Sequence, residues 1–243
     1  SCSIYGKGTE TIVNELSTVN PQTPYSLNKI QIEEEVSLIS DENFNPVFLR
    51  FSTLYGMSPR MRFDIVVNML AGMAFTKKKI VLNSNGQAWR PYIHILDVCK
   101  AFMHAIEHKD NTNESVVLNV GDSDQNYKII QIAELIQGLV PGCDIQFLNH
   151  QKQLNEEEEL IRDRKVQDGV DTRTYQVSFD KITHVLSDFN CEWNLKNGVI
   201  NMLDKFDEIE LTREQFENMN FYRLQKMEHL YANQQISDDL YWR

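Results

Sequence analysis

Two short apolar runs of strand length, Val47–Phe51 and Val116–Val120, narrow the fold more than anything else in the chain. A strand with one wet face alternates apolar and polar residues. A strand covered on both faces reads as an apolar run, and such cover is the mark of a parallel sheet flanked by helices. Each run follows a helical pattern. Thr23 is a good N-cap and Pro24 suits the first helical position, after which Ile32, Val36 and Ile39 recur at helical spacing. A helix is therefore predicted from Thr23 to about Asp41. Asp97 is predicted to cap a second helix, with Val98, Ala101, Phe102, Ala105 and Ile106 as its apolar stripe. Ser1–Gly6 reads as the end of a preceding strand, and the polar stretch to Asn20 as a surface loop. Two βαβ-like units in succession make the chain α/β.

Elsewhere Ile80–Leu82 and Tyr92–Ile95 read as short strands around a turn at Asn83 to Gly86. Ile132, Leu135, Ile136 and Leu139 mark a helix; Val199, Met202, Leu203 and Phe206 another; Leu224, Met227, Leu230 and Tyr231 a third. The last third is thus predicted to be mainly helical. The sequence shows no internal repeat or low-complexity linker, so any division into domains is made by the chain crossing between them.

The charge pattern limits the partners. A net charge of −11 over 243 residues argues against sequence-independent nucleic-acid binding, which needs clustered lysine and arginine. An anionic small ligand needs only a local field, and Arg60, Arg62, Arg90 and Arg173 are cations near predicted loop or strand ends. The acidic run Glu156–Glu159 reads as a solvated face. No apolar run approaches the roughly 20 residues that span a bilayer, so no membrane partner is expected. Cys2, Cys99, Cys143 and Cys191 lie far apart without a C-x-x-C pair, which signals neither a metal site nor a disulfide framework and suits a reducing cytoplasm.

Tyr25 and Lys29 stand four apart at the start of the first predicted helix, so the ammonium lies beside the phenol on one face. A tyrosine phenol ordinarily ionises near pH 10, and it serves as a base near neutrality only if its phenolate gains roughly 4 kcal/mol. A neighbouring lysine and a cationic cofactor can together supply that. The spacing alone decides little, because Tyr222 and Lys226 repeat it inside an ordinary helix, where a surface and packing pair is the simpler reading. For the same reason His94, alternating with apolar neighbours, reads as a core histidine. Trp89 reads as core or as cover for a nucleotide base.

Order and spacing carry more. Ser1-Cys2-Ser3-Ile4-Tyr5-Gly6, Pro24-Tyr25-Ser26-Leu27-Asn28-Lys29, Leu49-Arg50-Phe51-Ser52-Thr53-Leu54-Tyr55-Gly56 and Arg90-Pro91-Tyr92-Ile93-His94-Ile95-Leu96-Asp97 follow one another. In that order they closely resemble the extended short-chain dehydrogenase/reductase family, and within it the nucleotide-sugar epimerases and dehydratases. The resemblance covers residues 1 to about 125 and continues more weakly through Asp171-Thr172-Arg173-Thr174-Tyr175.

The resemblance implies the C-terminal part of a Rossmann-like doubly wound parallel sheet, joined to a smaller, mainly helical substrate-binding domain. Residues 1–56 and 93–124 would form the remainder of the NAD(P)-binding domain, and residues 57–92 and 125–243 the nucleotide-sugar domain. It implies that Ser1 hydrogen-bonds the reacting sugar hydroxyl, that Tyr25 takes its proton, and that Lys29 holds the nicotinamide ribose and supports the phenolate. Phe51 and Ser52 would approach the nicotinamide, Thr53 would touch substrate, and Arg90 and Arg173 would face the diphosphate. The cofactor implied is NAD in preference to NADP; the partner is a nucleotide-diphosphate sugar, and the complete protein is expected to be a homodimer.

Related dehydratases and decarboxylases carry acidic residues just after the catalytic Ser/Thr, where this chain has Cys2 and Ser3. Relatives that invert carbons 3 and 5 use a cysteine at the position of Ser3, and Cys2 lies one place off, on the opposite face of a strand. An NAD-dependent epimerase is therefore the expected function. A 4,6-dehydratase, an NAD(P)H-dependent reductase and a non-catalytic cofactor-binding relative are the alternatives. The glycine-rich pyrophosphate loop of the family is not in the sequence. Roughly 110 residues are expected to precede Ser1 in a complete relative, as two βαβαβ halves require, and the piece alone is expected to be inactive.

Overall fold

A computed structural model describes residues 1–7, 12–108, 115–148 and 173–243. The acidic run Glu156–Glu159, with Asp171 and Thr172, lies outside the described residues. Strand β1 (Val47–Phe51) pairs in parallel with β5 (Val116–Val120), Phe51 opposite Val120. Strand β4 (Trp89–His94) lies between β2 (Thr53–Tyr55), to which it is parallel, and β6 (Asn126–Lys128), to which it is antiparallel. Strand β3 (Lys79–Leu82) pairs in parallel with β7 (Asp144–Phe147). The predicted strands on either side of Asn83–Gly86 thus form, but in different sheets.

The helices are α1 (Pro24–Ser37), α2 (Val66–Lys77), α3 (Ile95–Glu107), α4 (Ile129–Leu139), α5 (Asp180–Val185), α6 (Leu195–Glu208), α7 (Arg213–Phe216) and α8 (Arg223–Ala232). All three helices predicted for the second half of the chain are present. Helix α2 escapes a reading by periodicity because it has no polar stripe to reveal it. Val67, Leu70, Ala71, Gly72, Met73 and Ala74 are all buried, and a helix covered all round loses its amphipathic signature. Among the described residues no helix is long and apolar enough to cross a membrane.

Two apolar cores hold these elements. One gathers Cys2, Ile4 and Tyr5 with Ile93, Val98, Leu118 and Val120, and with Tyr175 to Phe189 from farther along the chain. The other packs α2 against α4, α6 and the aromatic residues Phe63, Phe206, Phe216 and Tyr222.

Four expectations need correction. Ser1–Gly6 is not a strand end but a 3₁₀ turn, Cys2–Tyr5. Its amides bond locally, Ile4 N–H to the Ser1 carbonyl at 3.2 Å and Gly6 N–H to that of Ser3 at 3.3 Å, which leaves no ladder. The face argument that set Cys2 against Ser3 on a strand therefore does not apply. Helix α1 stops at Ser37, short of Asp41, and its buried face is not Ile32, Val36 and Ile39. Ile32 and Ile39 are exposed, while Ser26 is buried and Ile30 touches the first core. His94, not Asp97, caps α3, its Nδ1 accepting from Leu96 N–H at 3.4 Å. Asp97 is buried in the first turn, where it accepts from the amides of Glu192 and Trp193 instead. On α3, finally, Val98 and Ala101 are buried but Phe102 and Ile106 are exposed.

Candidate active site

Helix α1 begins with a reciprocal cap, Thr23 Oγ1 accepting from Ser26 N–H at 3.2 Å and Ser26 Oγ from Thr23 N–H at 3.1 Å. The cap satisfies two amides at the helix start and fixes the first turn, where Tyr25 stands. Tyr25 is exposed, and the Lys29 ammonium lies 5.5 Å from the centroid of its ring. The pair is open to a ligand rather than packed into the core.

The turn that carries Ser1 packs against α1. Ser1 Oγ meets Ser3 Oγ at 3.1 Å. Gly6 ends the turn with φ of 56°, and a Cβ there would come within 1.8 Å of the Asn20 carbonyl oxygen, so only glycine fits. The structure thus sets Lys29 beside Tyr25 on α1, and the turn that follows Ser1 packs against that helix. Cys2, next to Ser1, faces inward: burial pushes its thiol up to about 12, and it donates to the Arg50 carbonyl at 3.0 Å. A thiol so held is suited to packing, not to proton transfer.

Phe51 and Ser52 lie at the C-terminal end of β1. The Phe51 ring packs on Phe102 at 5.1 Å between centroids, whereas Ser52 is buried and donates from Oγ to the Val120 carbonyl at 3.0 Å. Ser52 therefore fixes the strand end, and its hydroxyl is engaged within the protein. Thr53 is opposite Tyr92 in the register of β2 and β4. Arg90 is buried at 5% exposure. Its Nη1 donates to the carbonyls of Trp89 and Arg173, and its guanidinium lies over the Tyr175 ring at 5.1 Å. Arg90 and Arg173 are thus neighbours, joined through a backbone carbonyl. Trp89 is half-buried and carries the Lys128 ammonium over its ring at 5.5 Å.

His94 is buried, as its apolar neighbours suggest, with its ring stacked on Trp193 at 4.4 Å and edge-on to Tyr55 at 5.3 Å. Burial pulls its pKa down to about 4, so the ring is neutral. Tyr222, the tyrosine of the repeated Tyr-x-x-x-Lys spacing, is buried beside Phe216, and burial raises its phenol out of the useful range. It is a packing residue.

A buried polar network behind the site was not anticipated. Glu33, one turn beyond Lys29, gives both carboxylate oxygens to Arg50: Nε at 3.1 Å to each and Nη2 at 2.6 Å to one. Arg50 Nη1 donates to Tyr5 Oη at 3.1 Å, and Tyr5 Oη donates to Asn119 Oδ1 at 2.8 Å. Burial opposes the Arg50 charge, but the bonds to Glu33 and the proximity of Tyr5 outweigh it and hold the guanidinium above its ordinary range. A signal was present in the sequence, since Arg50 and Asn119 interrupt otherwise apolar strands.

Known proteins resemble this chain in sequence and in fold. The model of the NAD dependent epimerase/dehydratase family matches residues 1–121. A protein of Methanocaldococcus jannaschii named as a candidate UDP-glucose 4-epimerase is 25% identical over 122 residues, which are 49% of this chain and 38% of that one. The UDP-glucuronic acid 4-epimerase of Bacillus cereus, solved with UDP-glucuronic acid and NAD, superposes with a TM-score of 0.67 at 21% identity, over 86% of this chain and 60% of its own. The dTDP-glucose 4,6-dehydratase of Bacillus anthracis, solved with NAD, gives 0.65 at 20% identity, over 88% and 60%. The chain thus spans well under two thirds of each of these relatives, and the fold it shares with the two solved enzymes is Rossmann-like α/β. The match to the NAD dependent epimerase/dehydratase family thus rests on residues 1–121, close to half of the chain's length.

Proposed function

We propose that the chain carries the catalytic group of an NAD-dependent nucleotide-sugar epimerase. The observation that carries this reading is the exposed Tyr25 side chain with the Lys29 ammonium 5.5 Å from its ring, on a helix against which the turn after Ser1 packs. The donor set suits a nicotinamide ribose, whose hydroxyls would accept from Lys29 and meet the Tyr25 phenol. When bound, NAD supplies the acceptor and later the donor of hydride. The residues of the chain handle the proton. Ser1 Oγ orients the sugar hydroxyl, Tyr25 Oη takes its proton as the carbonyl forms and returns it on re-reduction, and Lys29 favours the charged phenol.

In this reading the core around Cys2, Ile4 and Val120 belongs to the cofactor side and the core around α2, α4 and α6 to the sugar side. Phe51, at the strand end, borders the nicotinamide, and Thr53 contacts substrate. Arg90 and Arg173 serve the diphosphate, Arg90 through a guanidinium that its carbonyl contacts and the Tyr175 ring hold in place. The buried Cys2 thiol supports inversion through oxidation alone over mechanisms that need an acid or base beside Ser1.

The test is product analysis on the protein that contains this chain, supplied with NAD and with UDP-glucose, UDP-glucuronic acid or dTDP-glucose. An epimer of unchanged mass with no net NADH supports the reading. A product lighter by one water identifies a dehydratase, and stoichiometric loss of NADH or NADPH, when that is supplied with a nucleotide keto-sugar in place of NAD, a reductase. Tyr25→Phe should lower turnover by about two to four orders of magnitude, the scale of general-base loss, with little change in substrate affinity. Tyr222→Phe, at the buried copy of the spacing, should leave turnover near normal. Near-normal turnover in Tyr25→Phe excludes the mechanism.

A further inference from the structure

We infer that Arg50 is a positioning residue that keeps Glu33 away from Lys29 and so leaves the ammonium to Tyr25; the inference rests on the roles proposed above for Tyr25 and Lys29. Tyr25, Lys29 and Glu33 follow one another at intervals of four along α1, so all three project from one face. On a helix, oppositely charged residues four apart attract. Left to themselves, Lys29 and Glu33 would pair, and the carboxylate would cancel the field that Lys29 exerts on the phenol.

The structure shows a different pairing. Glu33 is bound to Arg50 through three contacts of 3.1, 3.1 and 2.6 Å. Lys29 instead sits over the Tyr25 ring. A guanidinium fork matches a carboxylate in a way that an ammonium does not. The Arg50 and Glu33 side chains are only 10% and 14% exposed, so solvent screens their attraction little. Glu33 and Arg50 then neutralise each other, and the charge left over at this end of α1 is that of Lys29. The same guanidinium reaches Tyr5 at 3.1 Å, on the turn that carries Ser1. One side chain therefore sets both the electrostatics of the Tyr25 pair and its position relative to Ser1.

The test needs no turnover. Trace acetic anhydride acylates each lysine of the folded protein at a rate readable by mass spectrometry, with the other lysines as internal standards. An ammonium held by a carboxylate acylates more slowly. In Arg50→Met, Lys29 should label roughly twofold more slowly than in the parent, the scale of one ion pair between residues four apart. Glu33→Gln/Arg50→Met should return it to the parental rate, and turnover should recover in the same order through kcat and not KM.

A purely structural clamp predicts the reverse: faster labelling of Lys29 in Arg50→Met as α1 loosens, and no recovery in the double variant. Either result overturns the inference. If Arg50→Met does not fold, which uniformly fast labelling of all lysines would reveal, Arg50→Lys decides. It keeps the charge without the fork, so Lys29 should again slow, and a rate at or above the parental one refutes the claim. Because labelling is independent of activity, a failed assay of Tyr25→Phe would strike the catalytic reading alone.

Discussion

Replacing Asp97 tests how the start of α3 is tied to the segment before α6. The carboxylate is fully buried and accepts from Glu192 N–H at 3.0 Å and Trp193 N–H at 3.1 Å. Asp97→Ala removes both acceptors. A hydrogen bond to a charged group contributes about 1.5–3 kcal/mol, and an orphaned buried amide costs about 1–3 kcal/mol. The amides here are only partly buried, so water recovers part of the loss. The carboxylate also suffers from its own burial, which raises its pKa above the ordinary 3.8 despite the two amides and Lys100, and the substitution relieves that penalty. The net expectation is about 2–3 kcal/mol, or a melting temperature lower by about 5–10 °C in a chain of this size.

The pH dependence of the same group has a definite sign. Its folded pKa lies above its unfolded one, so the stability linked to its protonation is complete below pH 3.8 and is lost as pH rises through the folded value. Asp97→Asn should remove that acidic slope while keeping one acceptor, and should therefore fall between the parent and Asp97→Ala at neutral pH. Denaturant melts at several pH values measure both quantities. An Ala variant within about 0.5 kcal/mol of the parent, the range of an inconsequential surface change, would show that the two amides are satisfied without Asp97.

His94 titrates in the opposite sense. With its pKa pulled from 6.5 down to about 4 by burial, its stabilising contribution is present above 6.5 and is lost as pH falls through 4; His94→Phe should flatten the unfolding curve over that window. Gly72→Ala should destabilise by about 1–3 kcal/mol in thermal melts, because the new methyl would lie 2.3 Å from the buried Phe216 ring, and an unchanged melt would mean that the ring moves freely. Arg90→Ala should raise KM for a nucleotide sugar more than it lowers kcat, as loss of a contact made equally in ground and transition states does, and an unchanged KM would make Arg90 purely structural.

Legibility in the sequence followed periodicity. Strands β1 and β5, the α1 cap at Thr23 and the helices of the second half announce themselves through apolar runs and turn residues. Where packing departs from an amphipathic pattern, the signal disappears or misleads. Helix α2 has no polar face to betray it. Helices α1 and α3 carry apolar residues that fit a helical pattern and nonetheless lie exposed, Ile32 on one, Phe102 and Ile106 on the other. Spacing identifies a possible face and cannot say whether anything covers it. At the site, the pairing of Tyr25 with Lys29 is legible in their spacing, but the partners of Arg50 and Asp97 lie 17 and 95 positions away along the chain, and no local pattern encodes such pairings.

The weak burial of α1 explains why a buried ion pair stands behind the Tyr25 pair. A helix is usually oriented by its apolar stripe, which locks its rotation against the core. Helix α1 buries little: Tyr25, Leu27, Ile32 and the following Leu38 are exposed, and Ile30 is its contact with the first core. Apolar contact of that kind tolerates rotation and sliding, because it has no direction. The Arg50–Glu33 fork does have direction, and it ties α1 to β1 one turn beyond Lys29. Buried ion pairs are poor sources of net stability, since desolvation offsets most of their attraction, and fixing register is the best-attested use for them. On the roles proposed for Tyr25 and Lys29, the pair has to be held within fractions of an ångström of its substrate. A directional polar anchor meets that demand on a helix whose hydrophobic contacts cannot.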